Sequence, residues 1–490
     1  MSRFISKRWS RLWLLLIIIL AAILRIPTLG TSSLWFDEAI SYLAASLPIN
    51  LILNNAVQSS HPPLYYLFLK AWIFAFPDSD SSLRALGLVW NLLLIPAVYL
   101  LVRELNGRRV VAILACFLIA ISPFHILFSH EVRMYTMLMF LVTLGTYTYL
   151  RAVREDRWYW WLIFAIVFAL AIFTHVFAWL ALFALGIYTI IRFRRSSITA
   201  KFFVIGAMLV IIFLPWLSLM MNEQESELGS LRPVAQEVDY NPIKLLTSLS
   251  FLLFGMASHP FLVGLSLFLV LSTGILLIME TIKAHRNSEN VWSLLPIIML
   301  ITLVIVPVFI YIIRPFFLPE RTMAAASPFL IILLAWSATR SRTPLPYLMV
   351  IAVVLMLVNA IIYIVGEPIK PPYRDASEFV EERLQPGDQV LHTSDGSYLP
   401  WLRYTNYDKH ALLIGDPDPR KPDSIYRILG GTLLSRANSF EDGTRLWLIV
   451  ALEHSQEWQK EQVDYFVDRY HRLEQFNLGG IDILLFELSG

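Results

Sequence analysis

Long apolar runs leave this chain few ways to fold. A stretch of about 17 to 25 apolar residues matches the ~30 Å hydrocarbon core of a bilayer. Such runs are centred in residues 12–30, 83–102, 110–128, 134–150, 158–174, 176–191, 202–220, 261–281, 291–313, 323–338 and 345–365. In lipid every backbone N–H and C=O must be satisfied within the protein, which restricts spanning segments to helices or closed barrels. Runs this long are helical, so the expected fold is a polytopic α-helical membrane protein of about eleven transmembrane helices. The first run follows Arg3, Lys7, Arg8 and Arg11 as a secretion signal would, but it continues through Arg25 and Pro27 with no small-residue cleavage site and reads as an anchor.

Charge divides the chain in two. Only 16% of residues are charged, against about 25% in an ordinary soluble protein. Of the 39 basic and 37 acidic side chains, residues 370–490 hold 13 and 20, leaving 26 and 17 for residues 1–369. A basic membrane domain, 1–369, is therefore followed by an acidic soluble domain, 370–490. An overall charge of +2 split in this way argues against nucleic acid as a partner. The single cysteine, Cys116, excludes a disulfide framework and a cysteine-based metal site.

Lys and Arg collect in alternate loops: Arg103, Arg108 and Arg109; Arg151, Arg154 and Arg157; Arg192, Arg194, Arg195 and Lys201; Lys283 and Arg286; Arg340 and Arg342. By the positive-inside bias these loops and the N-terminus are cytoplasmic. The opposite loops, 31–82 and 221–244, carry Asp37, Glu38, Asp78 and Asp80, then Glu223, Glu225, Glu227, Glu237 and Asp239. An odd number of spans puts the 370–490 domain on the outer side. Residues 245–259 are apolar but end in Ser258-His259-Pro260, and they read as an interfacial or re-entrant helix packed on protein. The 370–490 domain reads as α/β: helices at 373–384 and 456–471, strands at 389–392 and 446–450, and a final pair of strands around Gly479-Gly480. It shows no glycine-rich phosphate loop.

Ionisable residues at membrane depth are costly and point to function. Four clusters stand out on the outer side. Trp35-Phe36-Asp37-Glu38 follows the first span, and adjacent carboxylates among aromatics suit a general base. His61-Pro62-Pro63-Leu64-Tyr65-Tyr66, leading to Lys70, opens a helix whose positive end suits an anion such as a phosphate. Ser129-His130-Glu131-Val132-Arg133-Met134-Tyr135 forms a short turn whose charged members face an aqueous cavity rather than lipid. Arg314 and Arg321 stand between prolines against the positive-inside bias and need an anionic partner, for which an arginine fork fits phosphate oxygens. A base, several cations and aromatic walls on one side suggest a substrate with a phosphate at the interface and a long apolar tail.

The Asp37-Glu38 pair, the His61-Pro62-Pro63-Leu64 motif, the Arg133-x-Tyr135 turn and Pro319-Glu320-Arg321 occur in the order found in polytopic GT-C glycosyltransferases. Over roughly residues 1–365 the chain resembles their protein mannosyltransferase/aminoarabinose transferase branch. The resemblance implies a GT-C fold and inverting transfer of a sugar from a polyprenyl-phosphate donor to a lipid, glycan or protein acceptor at the outer face of a bacterial plasma membrane. Asp37 matches the family's catalytic aspartate, and Arg133 and Arg321 its phosphate-directed or cavity-lining charges. Glu38, His61, Tyr65, Lys70, Glu131, Tyr135 and Arg314 complete the expected substrate site. His61 stands where the aminoarabinose branch has a lysine, and Ser60 where it has a glutamate that helps hold a metal. For a divalent metal ion the remaining candidates here are Glu131 and His259. Thr322 stands where many relatives have tyrosine. The alternatives are a secondary transporter, which would show paired broken spans and inverted repeats, and a lipid-glycan flippase or ligase, whose activity would survive loss of Asp37.

Overall fold

The structure is a computed structural model describing residues 7–58, 61–105, 107–223, 242–255, 259–286, 294–313, 319–340, 345–366, 370–405, 410–414, 432–435, 444–451 and 456–488. Among these, six helical stretches are long and apolar enough to cross a bilayer: Arg8–Thr28, Asp80–Glu104, Tyr135–Glu155, Ser197–Leu219, Leu294–Ile313 and Pro346–Val365. A seventh crossing forms if Arg109–Ile121 and Pro123–Ser129, bent by 58° at their junction, are taken together. The bend falls where Pro123 removes a backbone donor, and Ser122 caps the new helix by accepting from the His125 N–H. Of the other four expected runs, Trp158–Thr174, Ala178–Phe193 and Ser327–Arg340 form shorter apolar helices of at most 17 residues, about 25 Å and short for a bilayer core, while the fourth forms the 27-residue helix Pro260–Arg286, which is long enough to cross one.

The helices bury an apolar core on one side and keep large apolar side chains such as Phe183, Ile211, Phe309 and Val350 exposed on the other. That is how a bundle surrounded by lipid differs from one surrounded by water. The Pro242–Phe254 helix has 13 residues, about 20 Å, and packs on the Pro123–Ser129, Pro260–Arg286 and Leu345–Val365 helices. Asn359 donates to the Phe254 carbonyl at its end, and Gly255 follows at φ +65°. A Cβ on Gly255 would come within 2.6 Å of Pro123, so only glycine lets this helix end close in. Of the 245–259 segment, residues 245–255 pack on protein in this way, and residues 256–258 lie outside the described residues.

The acidic loop after the first span forms three helices, Phe36–Ser46, Ile49–Gln58 and Leu64–Ala75. Beyond the last apolar helix, six strands form one sheet: β1 (Gln389–His392), β2 (His410–Ile414), β3 (Thr432–Ser435), β4 (Thr444–Ala451), β5 (His471–Leu478) and β6 (Ile481–Leu488). Their order is β3-β2-β1-β4-β6-β5, parallel from β3 to β4 and antiparallel thereafter. Side chains of β4 alternate between two cores: Trp447, Ile449 and Ala451 pack with the Tyr373–Glu381 and Asp395–Tyr404 helices, while Leu446, Leu448 and Val450 pack with Phe466 of the Gln456–Arg469 helix. The β5–β6 hairpin turns on Gly479 and Gly480, both at positive φ as a two-residue turn requires.

This α/β domain docks on the acidic loop. Leu43 packs with Tyr398, Leu399 and Leu412, joined by Phe36, Ile40 and Tyr42. Asp80, buried, pairs with Arg374 and accepts from the Tyr404 hydroxyl at 2.7 Å, while Asp78 pairs with Arg403 at 2.9 Å. The Tyr404 hydroxyl in turn accepts from the Leu34 N–H at 2.6 Å.

Candidate active site

Asp37 sits in the first turn of the Phe36–Ser46 helix, and its Oδ2 pairs with Arg321 Nη1 at 2.5 Å. Arg321 also lies over the Trp35 ring, 4.9 Å from its centroid. Arg321 and Trp35 line a cavity of about 750 Å³, whose wall includes Glu131, Lys370, Lys244 and the hydroxyls of the Pro242–Phe254 helix. Both members of the ion pair remain partly exposed, 16% for Asp37 and 23% for Arg321, so a ligand can reach them.

Glu38, one residue on, is fully buried. Its carboxylate accepts from Arg84 Nε and Nη2, each at 2.9 Å, from Lys370 Nζ at 2.9 Å, and from the N–H groups of Val132 at 3.0 Å and Trp35 at 3.3 Å. Burial by itself would raise its pKa, but the charges and hydrogen bonds of Arg84 and Lys370 prevail and hold it at about 2. Arg84 further donates to the carbonyls of Leu29, Ser32 and Ser33. Glu38 thus ties together the end of the first span, the 130–133 turn and the start of the α/β domain. It positions the turn that carries Asp37, and its oxygens are already occupied, so it does not serve as the substrate-binding group expected of it.

The other expected residues gather around this pair to different degrees. Arg133, buried, donates from Nη1 to the Asp37 carbonyl and Ser41 Oγ, each at 3.4 Å, and from Nη2 to His61 Nε2 at 3.2 Å. Its guanidinium lies 5.8 Å from the Tyr135 ring centroid. Burial, then the positive charge of Arg133, push the His61 pKa well below the ordinary imidazole range. His61 is therefore a neutral acceptor toward Arg133 and brings no charge of its own to the helix end expected to suit an anion. Tyr65 is fully buried, with a hydroxyl that has no partner among the described residues. Lys70 is not at the site: its Nζ caps the end of the Phe36–Ser46 helix, 2.7 Å from the Leu47 carbonyl and 3.3 Å from that of Ala45. Arg314 lies outside the described residues.

The two metal candidates are not brought together. Glu131 lines the cavity, whereas His259 is exposed and uses Nδ1 to accept from the Phe261 N–H at 3.2 Å, capping its own helix. No three His, Cys, Asp or Glu side chains converge as ligands among the described residues.

Lys370 and Arg84 escaped the sequence reading. Lys370 sits at the expected boundary between the two domains, where a cation beside the last apolar run, on the side expected to be outer, was the available signal. Arg84 is an arginine at the start of an apolar run, itself a departure that calls for a buried partner.

A bundle of apolar helices, a docked α/β domain and a polar cavity near their junction define the class: a polytopic membrane protein with a polar cavity lined by charged side chains. The family model for dolichyl-phosphate-mannose-protein mannosyltransferase matches residues 60–219. No curated protein matches the chain by sequence. The fold is that of ArnT from Cupriavidus metallidurans in the apo state, with a TM-score of 0.63 at 12% identity over 98% of this chain and 99% of that one. The same protein bound to undecaprenyl phosphate matches with a TM-score of 0.59 at 12% identity over the same shares. The oligosaccharyltransferase AglB from Archaeoglobus fulgidus, in complex with an inhibitory peptide and a dolichol-phosphate, matches with a TM-score of 0.53 at 12% identity over 99% of this chain and 74% of that one. The chain thus shares the fold of these two proteins, and the family model matches its residues 60–219.

Proposed function

We propose that the chain transfers a sugar, with inversion, from a polyprenyl-phosphate donor to an acceptor hydroxyl or phosphate at the outer face of a bacterial plasma membrane. The observation that carries this reading is the Asp37–Arg321 ion pair beside the cavity. For a hydroxyl acceptor, Asp37 takes the proton as the oxygen attacks the anomeric carbon. The bond from that carbon to the phosphate oxygen breaks, and the departing polyprenyl phosphate keeps the electron pair. Its growing charge falls on Arg321 and Lys370, cations held in place before the reaction.

Inversion puts the attacking and leaving oxygens on opposite sides of the anomeric carbon. Asp37 Oδ2 and Arg321 Nη1, 2.5 Å apart here, cannot then remain in contact, because the sugar has to lie between the base and the phosphate. The pair is the resting form, and donor binding exchanges the Asp37 carboxylate on Arg321 for a phosphate oxygen. This frees Asp37 for the acceptor. The test is turnover of polyprenyl-phosphate sugars by purified protein and by Asp37→Asn. Loss of transfer with donor binding retained supports the reading, and near-wild-type turnover by the variant removes it.

A further inference from the structure

We propose that Glu131 binds the sugar of the donor, a neutral, hydroxyl-bearing glycosyl unit whose hydroxyls donate to the Glu131 carboxylate while Arg321 and Lys370 hold the phosphate. This rests on the donor reading above and adds what that reading leaves open, the part of the cavity that meets the sugar and the kind of sugar it takes. Glu131 is 6% exposed, its side chain lines the cavity, and its Oε2 is buried with no hydrogen-bond partner among the described residues. An unmade hydrogen bond to a buried charged oxygen is costly. The nearby carboxylates do not share this feature: Glu38 has five donors and Glu320 accepts from Ser248 Oγ at 2.8 Å.

The backbone around Glu131 is pinned on every side, which points to a fixed purpose. His130 Nε2 donates to the Arg25 carbonyl at 2.8 Å and its Nδ1 accepts from the Tyr363 hydroxyl at 3.2 Å. The Val132 N–H is held by Glu38. Beneath the turn, Gly87 lets the Asp80–Glu104 helix come so close that a Cβ there would lie 3.0 Å from the Glu131 carbonyl oxygen and 3.2 Å from that of Ser129. The cavity wall also carries the hydroxyls of Thr247, Ser248 and Ser250, which donate to the Lys244 carbonyl, Glu320 and Ser266 and so can accept from a polyhydroxylated ring.

The charges can be met without a cation on the sugar. The cavity wall carries three cations, Lys244, Arg321 and Lys370, and two carboxylates, Glu131 and Glu320; behind it Asp37 and Glu38, with Arg84 and Arg133, add two charges of each sign. Burial lowers the His130 pKa to about 3, so it adds no charge. A polyprenyl-phosphate sugar is a phosphodiester with one negative charge, which balances this set, and the aminopentosyl probe tests whether an ammonium is taken instead.

The test uses the full chain in nanodiscs and four lipid probes: undecaprenyl phosphate, its glucosyl and mannosyl forms, and its aminopentosyl form. The wild type is expected to bind a neutral glycosyl form about tenfold or more tighter than the bare lipid, the worth of about one buried charged hydrogen bond. Glu131→Ala is expected to lose that preference while keeping the affinity for bare undecaprenyl phosphate, which also shows that the variant is folded. Glu131→Gln, which retains one acceptor oxygen, is expected to keep part of the preference. A preference unchanged in Glu131→Ala, a parallel loss of both affinities, a wild type without preference, or a preference for the aminopentosyl form overturns the proposal. A wild type that does not bind bare undecaprenyl phosphate overturns instead the donor reading beneath it.

Discussion

Glu38→Gln and Asp37→Asn make the same chemical change at neighbouring carboxylates and are expected to fail in opposite ways. Glu38 has no exposed surface and faces Arg84 and Lys370. Removing its charge leaves two buried cations without a counter-ion, and breaking a buried pair in this way costs about 3 to 5 kcal/mol. Its lowered pKa gives a consistent figure. A drop from the ordinary 4.5 to about 2, at 1.36 kcal/mol per pH unit, is worth about 3 kcal/mol. Because the folded-state pKa is depressed, this stability is present above about pH 4.5 and is lost as the pH falls toward 2. Asp37, in contrast, has a single ion-pair partner and keeps some exposure, so its loss costs less than that of Glu38, which accepts five hydrogen bonds. Thermal unfolding followed by tryptophan fluorescence in detergent should therefore show Glu38→Gln melting several degrees below the wild type at pH 7. The gap should close as the pH falls through the window from 4.5 to 2. Asp37→Asn should melt closer to the wild type than Glu38→Gln does, yet transfer no sugar. A Glu38→Gln protein as stable as the wild type at pH 7, or a gap that widens on acidification, would refute the network as described.

Arg321→Lys keeps the charge but loses the planar fork, and it should weaken undecaprenyl phosphate binding about tenfold in a direct binding assay. Asp80→Asn removes the negative charge that Arg374 and Arg403 share and weakens the acceptor for Tyr404; limited proteolysis of the 370–490 domain should speed up while the membrane helices stay resistant. Gly87→Ala pushes on the carbonyls of Ser129 and Glu131, so it should lower transfer by tenfold or more with a smaller effect on bare-lipid binding. A reporter fused at Gly490 should mark the outer side of the membrane, and a cytoplasmic signal would reverse the proposed orientation.

The membrane bundle was legible because lipid imposes a length and a polarity that a sequence displays directly. The strand at 389–392, the middle of the 444–451 strand, read as 446–450, and the Gly479-Gly480 hairpin were legible from apolar runs and turn chemistry. The helix Asp395–Tyr404 was not, since Pro400 lies within it and its apolar residues face the Phe36–Ser46 helix, a partner more than 340 residues away in the chain. The clusters around Asp37, Glu131, Arg133 and Arg321 were visible as charges out of place, but their division of labour was not. Whether Glu38 or Asp37 is free depends on Arg84 and Lys370, which approach from 46 and 332 residues away. The neutral state of His61 likewise depends on burial against Arg133, 72 residues on. Residue spacing carries no record of such contacts.

The most direct test is to incubate the purified chain with a panel of polyprenyl-phosphate sugars and an extract of envelope acceptors, and to follow donor consumption and the anomeric configuration of the product. The wild type should consume at least one donor and invert its anomeric centre, while Asp37→Asn, with undecaprenyl phosphate affinity intact, should consume none. Turnover by Asp37→Asn at a near-wild-type rate, or a product of retained configuration, would contradict the account.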